Sequence, residues 1–383
     1  MSGRWFKKNR CHLDQRRISE NSCNSEGRPK KPCHSEPGPK PGEEPAFRFR
    51  PGAPFLALFA RKPALSLSKG GALAALLSLM SNSLAAQTPQ DLLTSGRVDQ
   101  AIQTLEQQIH TAPTAEAYNL LCRARFELGA WDAGIPNCEK AASLTPDNAL
   151  YHLWLGRIYG EKADHAGFLG AAGLAKKVRT EFERAVELSP NSWEARTDLA
   201  EFYLEAPGIV GGGKDKARTQ AALLAPLNPA MSHWVLARLA EKNKDNAAAE
   251  REYRAAIDAS NGGARAWVNL AGFYRHINRF EDMEQALRTM ESSPLDRPAA
   301  LVDAAGMLLC TGRDYPLAIR VVRRYIASPS AVEEAPVFKA HVLLGELLEK
   351  QGDRPAAAEE YRAALAMAHG YRQAQEALKR VTR

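Results

Sequence analysis

The feature that most constrains the fold is a self-similarity that returns about every 34 residues from Gln87 onward. Each unit has a leucine, once replaced by alanine, that is followed by a small residue and often by an aromatic residue four positions after the leucine. The steps between these positions are 34, 44, 37, 34, 35 and 39 residues. The positions are Leu121, Leu155, Leu199, Leu236, Leu270, Ala305 and Leu344. Such a period is typical of stacked helical units that bury their apolar faces against one another.

The second half of each unit carries a complementary pattern. A small or β-branched residue is followed four positions later by a large apolar residue or cysteine, then three positions later by alanine, and often by proline five positions further on. Two such sets are Gly134, Cys138, Ala141 and Pro146, and Val178, Phe182, Ala185 and Pro190. Positions three and four apart share one helical face, and the proline ends the helix. The sequence therefore predicts an all-α chain of helix pairs.

Over nearly all of residues 88–370 these motifs resemble the W-x2-L-G-x2-Y…A-x3-F…P pattern of the tetratricopeptide repeat family. The resemblance implies a right-handed α-solenoid of about seven to eight helix-turn-helix units over residues 87–370. The first unit is a stub, because little precedes its second helix, "RVDQAIQTLEQQIHTAP". Residues 371–383 predict a C-terminal capping helix with a polar outer face, which keeps the end of a solenoid soluble.

The segment before the repeats has two parts. Residues 1–64 are rich in proline, glycine and charge and predict disorder. Residues 65–86 read as a signal peptide, because Lys69 precedes an apolar run over 72–80 and then small residues. That run is shorter than the ~20 residues of a spanning helix, so we expect no membrane span in the mature chain.

A signal peptide behind a long tail leaves two interpretations open. Translation starts near Leu65 or Leu67, or the tail is real and the apolar run is a core or membrane-surface segment. The first interpretation predicts a protein of the periplasm or cell envelope, and the second leaves a cytoplasmic location as the alternative.

The charge distribution argues against nucleic acid as a partner. The net charge is +7, but residues 1–69 hold 15 Lys+Arg and only 6 Asp+Glu, which leaves the remainder at −2. A repeat region that is close to neutral lacks the basic surface that phosphate backbones need.

The stretch "GIVGGGKDKA" at 208–217 imitates a phosphate-binding loop but fails two tests. Asp215 stands where such a loop carries Ser or Thr for magnesium, and the stretch follows a helix rather than a strand. We interpret it as a lengthened turn that begins at Pro207, with Asp215 as the N-cap of the next helix.

Two extended turns are predicted on the same edge of adjacent units, at 160–177 in the third unit and at 207–214 in the fourth. Long insertions are sometimes functional. They suggest a second hypothesis, in which the two turns form a lid over a bound small solute.

The sequence carries no pattern for catalysis, cofactor or metal. H-E-x-x-H, C-x-x-C and G-x-S-x-G are absent, and the histidines show no ligand spacing. We therefore expect no enzyme and no cofactor. The leading hypothesis is an exported scaffold that binds a partner protein or peptide.

In the resembled family the first helices line a concave groove that receives peptides or partner proteins. Positions two before and two after the leucine column should face this groove. The candidates are Asn119, Arg123, Arg157, Trp234, Arg238, Asp303, Met307 and Glu346. We expect Arg123 and Arg157, one unit apart, to bridge an acidic segment of the partner while carrying little packing.

The family also implies a contact between Cys122 and Cys138, since the small residue of the first helix meets the second helix there. Cα atoms about 4.4–6.8 Å apart would accept a disulfide, and export would supply an oxidising compartment. The alternative is that both thiols are small apolar fillers.

Overall fold

The computed structural model describes residues 87–383. The predicted upstream segment (1–64) and signal peptide (65–86) lie outside the described residues. Over 87–383 the chain forms seventeen α-helices, one short 3₁₀ turn and no strand, so the predicted all-α solenoid is confirmed. Sixteen helices pair into eight units, and the seventeenth, α17 (Arg372–Val381), packs on the last pair.

The helices follow the predicted repeat. The first helices of the units are α1 Pro89–Thr94, α3 Ala115–Glu127, α5 Ala149–His165, α7 Trp193–Glu205, α9 Pro229–Lys242, α11 Ala264–His276, α13 Ala300–Thr311 and α15 Val337–Lys350. The second helices are α2 Val98–Thr111, α4 Trp131–Leu144, α6 Phe168–Leu188, α8 Lys214–Leu224, α10 Asn246–Ala259, α12 Phe280–Glu291, α14 Tyr315–Ile326 and α16 Arg354–Met367.

The contact that holds a unit together joins a small residue on the first helix to a large one on the second. An added Cβ on Gly345 would lie 2.5 Å from the ring of Tyr361, and one on Gly156 would lie 2.5 Å from the ring of Phe182. Both rings are fully buried. Only glycine lets the helices approach this closely, because the aromatic ring fills the space of a side chain.

In the second unit the same contact is a disulfide. Cys122 of α3 and Cys138 of α4 are bonded; they are 16 positions apart in sequence, and their Cα atoms are 5.3 Å apart. Gly345 and Tyr361 of the last unit are also 16 residues apart. The disulfide therefore occupies the position where other units place a glycine against a ring.

Two members of the predicted leucine column depart from it. Leu236 is only half-buried, since α8 is short, and it lines a cavity of about 320 Å³ with Ala222 and Ala225.

In α13 the predicted alignment of the helix with the repeat pattern is wrong by one residue. Ala305 is fully buried, whereas an added Cβ on Gly306 would meet nothing within 4 Å. The small residue that faces the second helix is therefore Ala305.

The two predicted insertions take different forms. In the third unit the extra residues lengthen the helices, since α5 has 17 residues and α6 has 21, with only a short turn between them. In the fourth unit they form a 3₁₀ turn, Gly208–Val210, and a left-handed Gly211 with φ 101°. Gly213 is the N-cap of α8, so the prediction that Asp215 caps it is wrong.

The insertions contact each other but do not enclose either of two cavities. The side chain of Arg179 on α6 packs on Gly211, where an added Cβ would clash with its guanidinium. The cavities of about 320 and 260 Å³ are lined by other residues, from Trp193 to Asp296. No helix of the described region has the length and apolarity needed to cross a bilayer.

We predict that Gly345→Ala destabilises the chain by about 1–3 kcal/mol, because the added methyl group must displace the buried ring of Tyr361. Gly306→Ala is the matched control. It lies on an equivalent first helix with open space around it, and should stabilise by about 0.5–1 kcal/mol. Urea denaturation followed by circular dichroism compares the midpoints. Equal midpoints for the two variants would contradict the helix contact.

Candidate binding surface

The first helices lie on the inside of the curved array. First helices of consecutive units contact each other repeatedly, as α3 does with α5, α9 with α11, and α13 with α15. Helices on the inside of a curve are crowded in this way. We call the surface formed by the first helices the inner face.

The first units contact the last ones across this inner face. Arg123 of α3 donates from Nε to Oε1 of Glu333 over 2.7 Å and from Nη2 to the other oxygen. Lys339 of α15 donates to Oε2 of Glu127 over 2.6 Å. Helices α2 and α16 also touch, and the backbone N–H of His369 donates to Asp99 over 2.6 Å. We call this set of interactions the closure contact.

Both predicted arginines of the second and third units pack on one tryptophan. The guanidinium carbons of Arg123 and Arg157 each lie 5.0 Å from the ring centre of Trp154, which is a cation–π distance. Arg157 also donates from Nε to Oδ2 of Asp198 on α7 over 2.6 Å. Arg157 is 7% exposed and Asp198 3% exposed, so this is a buried ion pair.

A second cluster continues along α7 and α9. Arg238 lies over the ring of Trp234 at 5.7 Å and donates to Oε1 of Glu205 over 2.7 Å. Lys242 donates to the other oxygen of Glu205 over 2.6 Å. Burial alone would lower the pKa of Arg238, but the surrounding negative charge, including that of Glu241, raises it on balance. The guanidinium therefore stays charged.

A third cluster lies towards the C-terminal units. Arg297, just before α13, donates from Nε to Glu334 over 2.9 Å and from Nη1 to Asp303. Further on, Glu346 of α15 accepts a hydrogen bond of 2.9 Å from Gln373 of the capping helix. Burial raises the pKa of Glu346 above its ordinary value.

Two buried carboxyl groups of the inner face have raised pKa values. Burial raises the pKa of Glu127, against the opposing effect of Lys339. Burial also raises the pKa of Glu201 on α7 to about 8, with Asp198 and Glu205 acting in the same direction and Arg238 opposing. Glu201 is 6% exposed. It is therefore largely protonated at neutral pH.

The inner face presents paired charges and aromatic rings. Cations and carboxylates of different units pair with one another, and the rings of Trp154 and Trp234 lie against guanidinium groups. Among residues 87–383, no group of three or more His, Cys, Asp or Glu side chains is placed to hold a metal ion.

A family model described as tetratricopeptide repeat matches residues 90–149, 235–297 and 304–372, about half of the chain. The chain belongs to the tetratricopeptide repeat family. A search among curated protein sequences finds none that matches.

Several solved structures are similar in fold. Yeast Tom70 is 13% identical with a TM-score of 0.47, and the match covers 79% of this chain and 65% of Tom70. Cut9 with Hcn1 of the APC/C is 13% identical with a TM-score of 0.36 over 81% of this chain and 58% of that one. A thermophilic tetratricopeptide repeat protein of Thermus thermophilus is 19% identical with a TM-score of 0.41, and the match covers 48% of this chain and 96% of that protein. The matches span less than two thirds of the length of the first two of these proteins.

The predicted groove residues of this tetratricopeptide array differ in their surroundings. The structure brings Arg123 and Arg157 together on Trp154, and it places Trp234 beside Arg238. Asn119 is 1% exposed, and its amide nitrogen finds no hydrogen-bond partner within 87–383. The expectation that the two arginines carry little packing is wrong, because each is already bonded to a carboxylate of its own chain.

Asp303 and Met307 were predicted from the register that is wrong in α13. Asp303 pairs with Arg297, and Met307 is buried beside Gly272. With the corrected register, the position equivalent to Arg123 and Arg157 is Gly306, which is half-exposed.

The partners of the predicted cations are not among the residues predicted from the sequence. Glu333, Asp198 and Glu205 lie outside the repeat positions that were expected to face the groove. For Glu333 one signal was available, because the 39-residue step from Ala305 to Leu344 leaves room for an extra loop. For Asp198 and Glu205 the repeat pattern offers no signal.

We predict that Arg157→Ala destabilises the fold by about 3–5 kcal/mol, since it leaves the buried carboxylate of Asp198 without its partner. The double variant Arg157→Ala/Asp198→Ala should lose less stability than the single variant, because the unpaired charge is gone. Urea denaturation of both variants is the measurement. A double variant that is at least as unstable as the single one would mean that the cost is lost packing on Trp154.

We also predict a pH dependence that belongs to Glu201. Its folded pKa of about 8 lies above the ordinary 4.5, so the unfolded state releases its proton first. Stability should therefore fall as the pH rises from 4.5 to about 8. The stability of the Glu201→Gln variant should fall less over that pH range. Melting temperatures of both proteins across the range test this, and parallel curves would contradict a raised pKa.

Proposed function

We propose that this tetratricopeptide repeat protein is a non-enzymatic scaffold that binds a partner protein or peptide on its inner face. The observation that carries the proposal is the concentration of arginine and tryptophan there, in the pairs Arg123/Trp154 and Trp234/Arg238. These residue types are enriched where protein partners bind most tightly.

We further propose that the protein is exported to the periplasm or cell envelope. The basic, apolar and small-residue order within 65–86 supports export. A bond between Cys122 and Cys138 supports an oxidising compartment, since disulfides are rare in the cytosol. N-terminal sequencing of the protein from an envelope fraction tests this proposal. A chain that begins near Gln87 is expected, and one that retains Phe47 would contradict it.

Partner capture tests the scaffold with a variant that blocks the inner face. Gly306→Arg adds a long side chain where an added Cβ has nothing within 4 Å, so the fold should survive. We predict that it reduces capture of the partner from envelope extract at least about tenfold, which corresponds to ~1.4 kcal/mol.

Gly173→Arg is the matched control. Gly173 is an exposed helical glycine on the second helix α6 and also has nothing within 4 Å. This variant should capture the partner like the wild type. Equal capture by Gly306→Arg and wild type, with melting temperatures unchanged, would place the binding surface elsewhere.

A further inference from the structure

A loop of this chain already lies against the inner face. Residues 327–336 connect α14 to α15 without helix, and we call them the interior loop. Tyr325 anchors the loop, because its hydroxyl donates to the carbonyl of Ala335 over 2.6 Å and accepts from the N–H of Val332 over 3.0 Å. The loop is therefore held in a defined position by a fully buried ring.

The first acidic residue of the interior loop enters an arginine site at the far end of the array. Glu333 accepts two hydrogen bonds from Arg123 and one of 3.2 Å from the amide of Gln90. Arg123 lies 210 residues away in sequence. Its guanidinium is held over Trp154, so the site presents a two-pronged donor to a carboxylate.

The second acidic residue of the loop binds a different arginine. Glu334 accepts a hydrogen bond of 2.9 Å from Nε of Arg297, which also pairs with Asp303. Two adjacent carboxylates thus engage two arginines that come from opposite ends of the array. Within the chain, these two arginines therefore bind a segment with two adjacent carboxylates.

We propose that the interior loop is an internal ligand, which occupies the site for an acidic partner segment with two adjacent carboxylates. The partner segment binds Arg123 and Arg297 after displacing Glu333 and Glu334, so the loop holds the free protein in an inhibited state. This inference rests on the proposed scaffold function and names the chemistry of its partner.

The competition explains why the arginines are paired before any partner arrives. A guanidinium without a carboxylate partner would bind acidic segments indiscriminately. Carboxylates tethered in the same chain compete with such segments, so only a segment that complements both arginines has enough affinity to displace them. Displacement exchanges one set of charge-assisted hydrogen bonds for another of the same kind.

The test uses the full chain and a synthetic peptide that copies residues 328–336, SPSAVEEAP. The variant Glu333→Gln/Glu334→Gln weakens the internal competitor. We predict that it binds the labelled peptide at least about tenfold more tightly than the wild type in fluorescence anisotropy at low salt. A peptide with both glutamates replaced by glutamine should bind neither protein.

Two controls make the result specific. Glu291→Gln removes a carboxylate from a pair with Arg320 on second helices and should leave the peptide affinity at the wild-type value. Arg123→Ala added to the double variant should abolish the gain. If the double variant folds poorly, Glu334→Gln alone carries the test, since its side chain is 29% exposed, with a gain of about threefold.

The inference is overturned if the competitor variant binds the acidic peptide no better than the wild type, or binds both peptides equally. Either result leaves the scaffold proposal intact, because partner capture by wild type and Gly306→Arg is measured without the peptide. Failure of capture together with tight peptide binding would remove the scaffold proposal and keep the arginine site.

Discussion

The ion pair between Arg123 and Glu333 joins two ends of a repeat array, and the character of the inner face depends on it. Without this contact the first helices would form an open surface, as in any curved stack of helix pairs. With it, the arginine is held between Trp154 and a carboxylate from the opposite end. Lys339 and Glu127 reinforce the contact from the neighbouring helix, and Gly96 packs closely on Val337 beside these charges.

Ion pairs suit such a contact because they form and break reversibly. An ion pair that is partly buried contributes little net stability, since the cost of removing two charges from water offsets much of their attraction. It nevertheless specifies which groups must meet. A partner that supplies its own carboxylates can replace those of the chain at small net cost, whereas an apolar seam would have to be exposed to water.

The sequence was a good guide to the helices and a poor one to the inner face. Helix pairing follows from local spacing, so the eight units and the position of Cys122 opposite Cys138 could be inferred from periodicity and family resemblance. The register of α13 could not, because Ala305 and Gly306 are both small and either satisfies the pattern. The partner of Arg123 could not be inferred either. It depends on the curvature that accumulates over seven units, and the sequence of a single unit does not reveal that curvature.

The most direct test of the central claim is a distance between the two ends of the array in solution. Spin labels on unnatural amino acids at the exposed positions Gln103 of α2 and Arg362 of α16 leave the cysteines untouched. Electron–electron double resonance at low salt should give one short, narrow distance, since these two helices are in contact. A broad distribution centred several tens of ångströms apart, as an open stack of eight units would give, would contradict the closure contact.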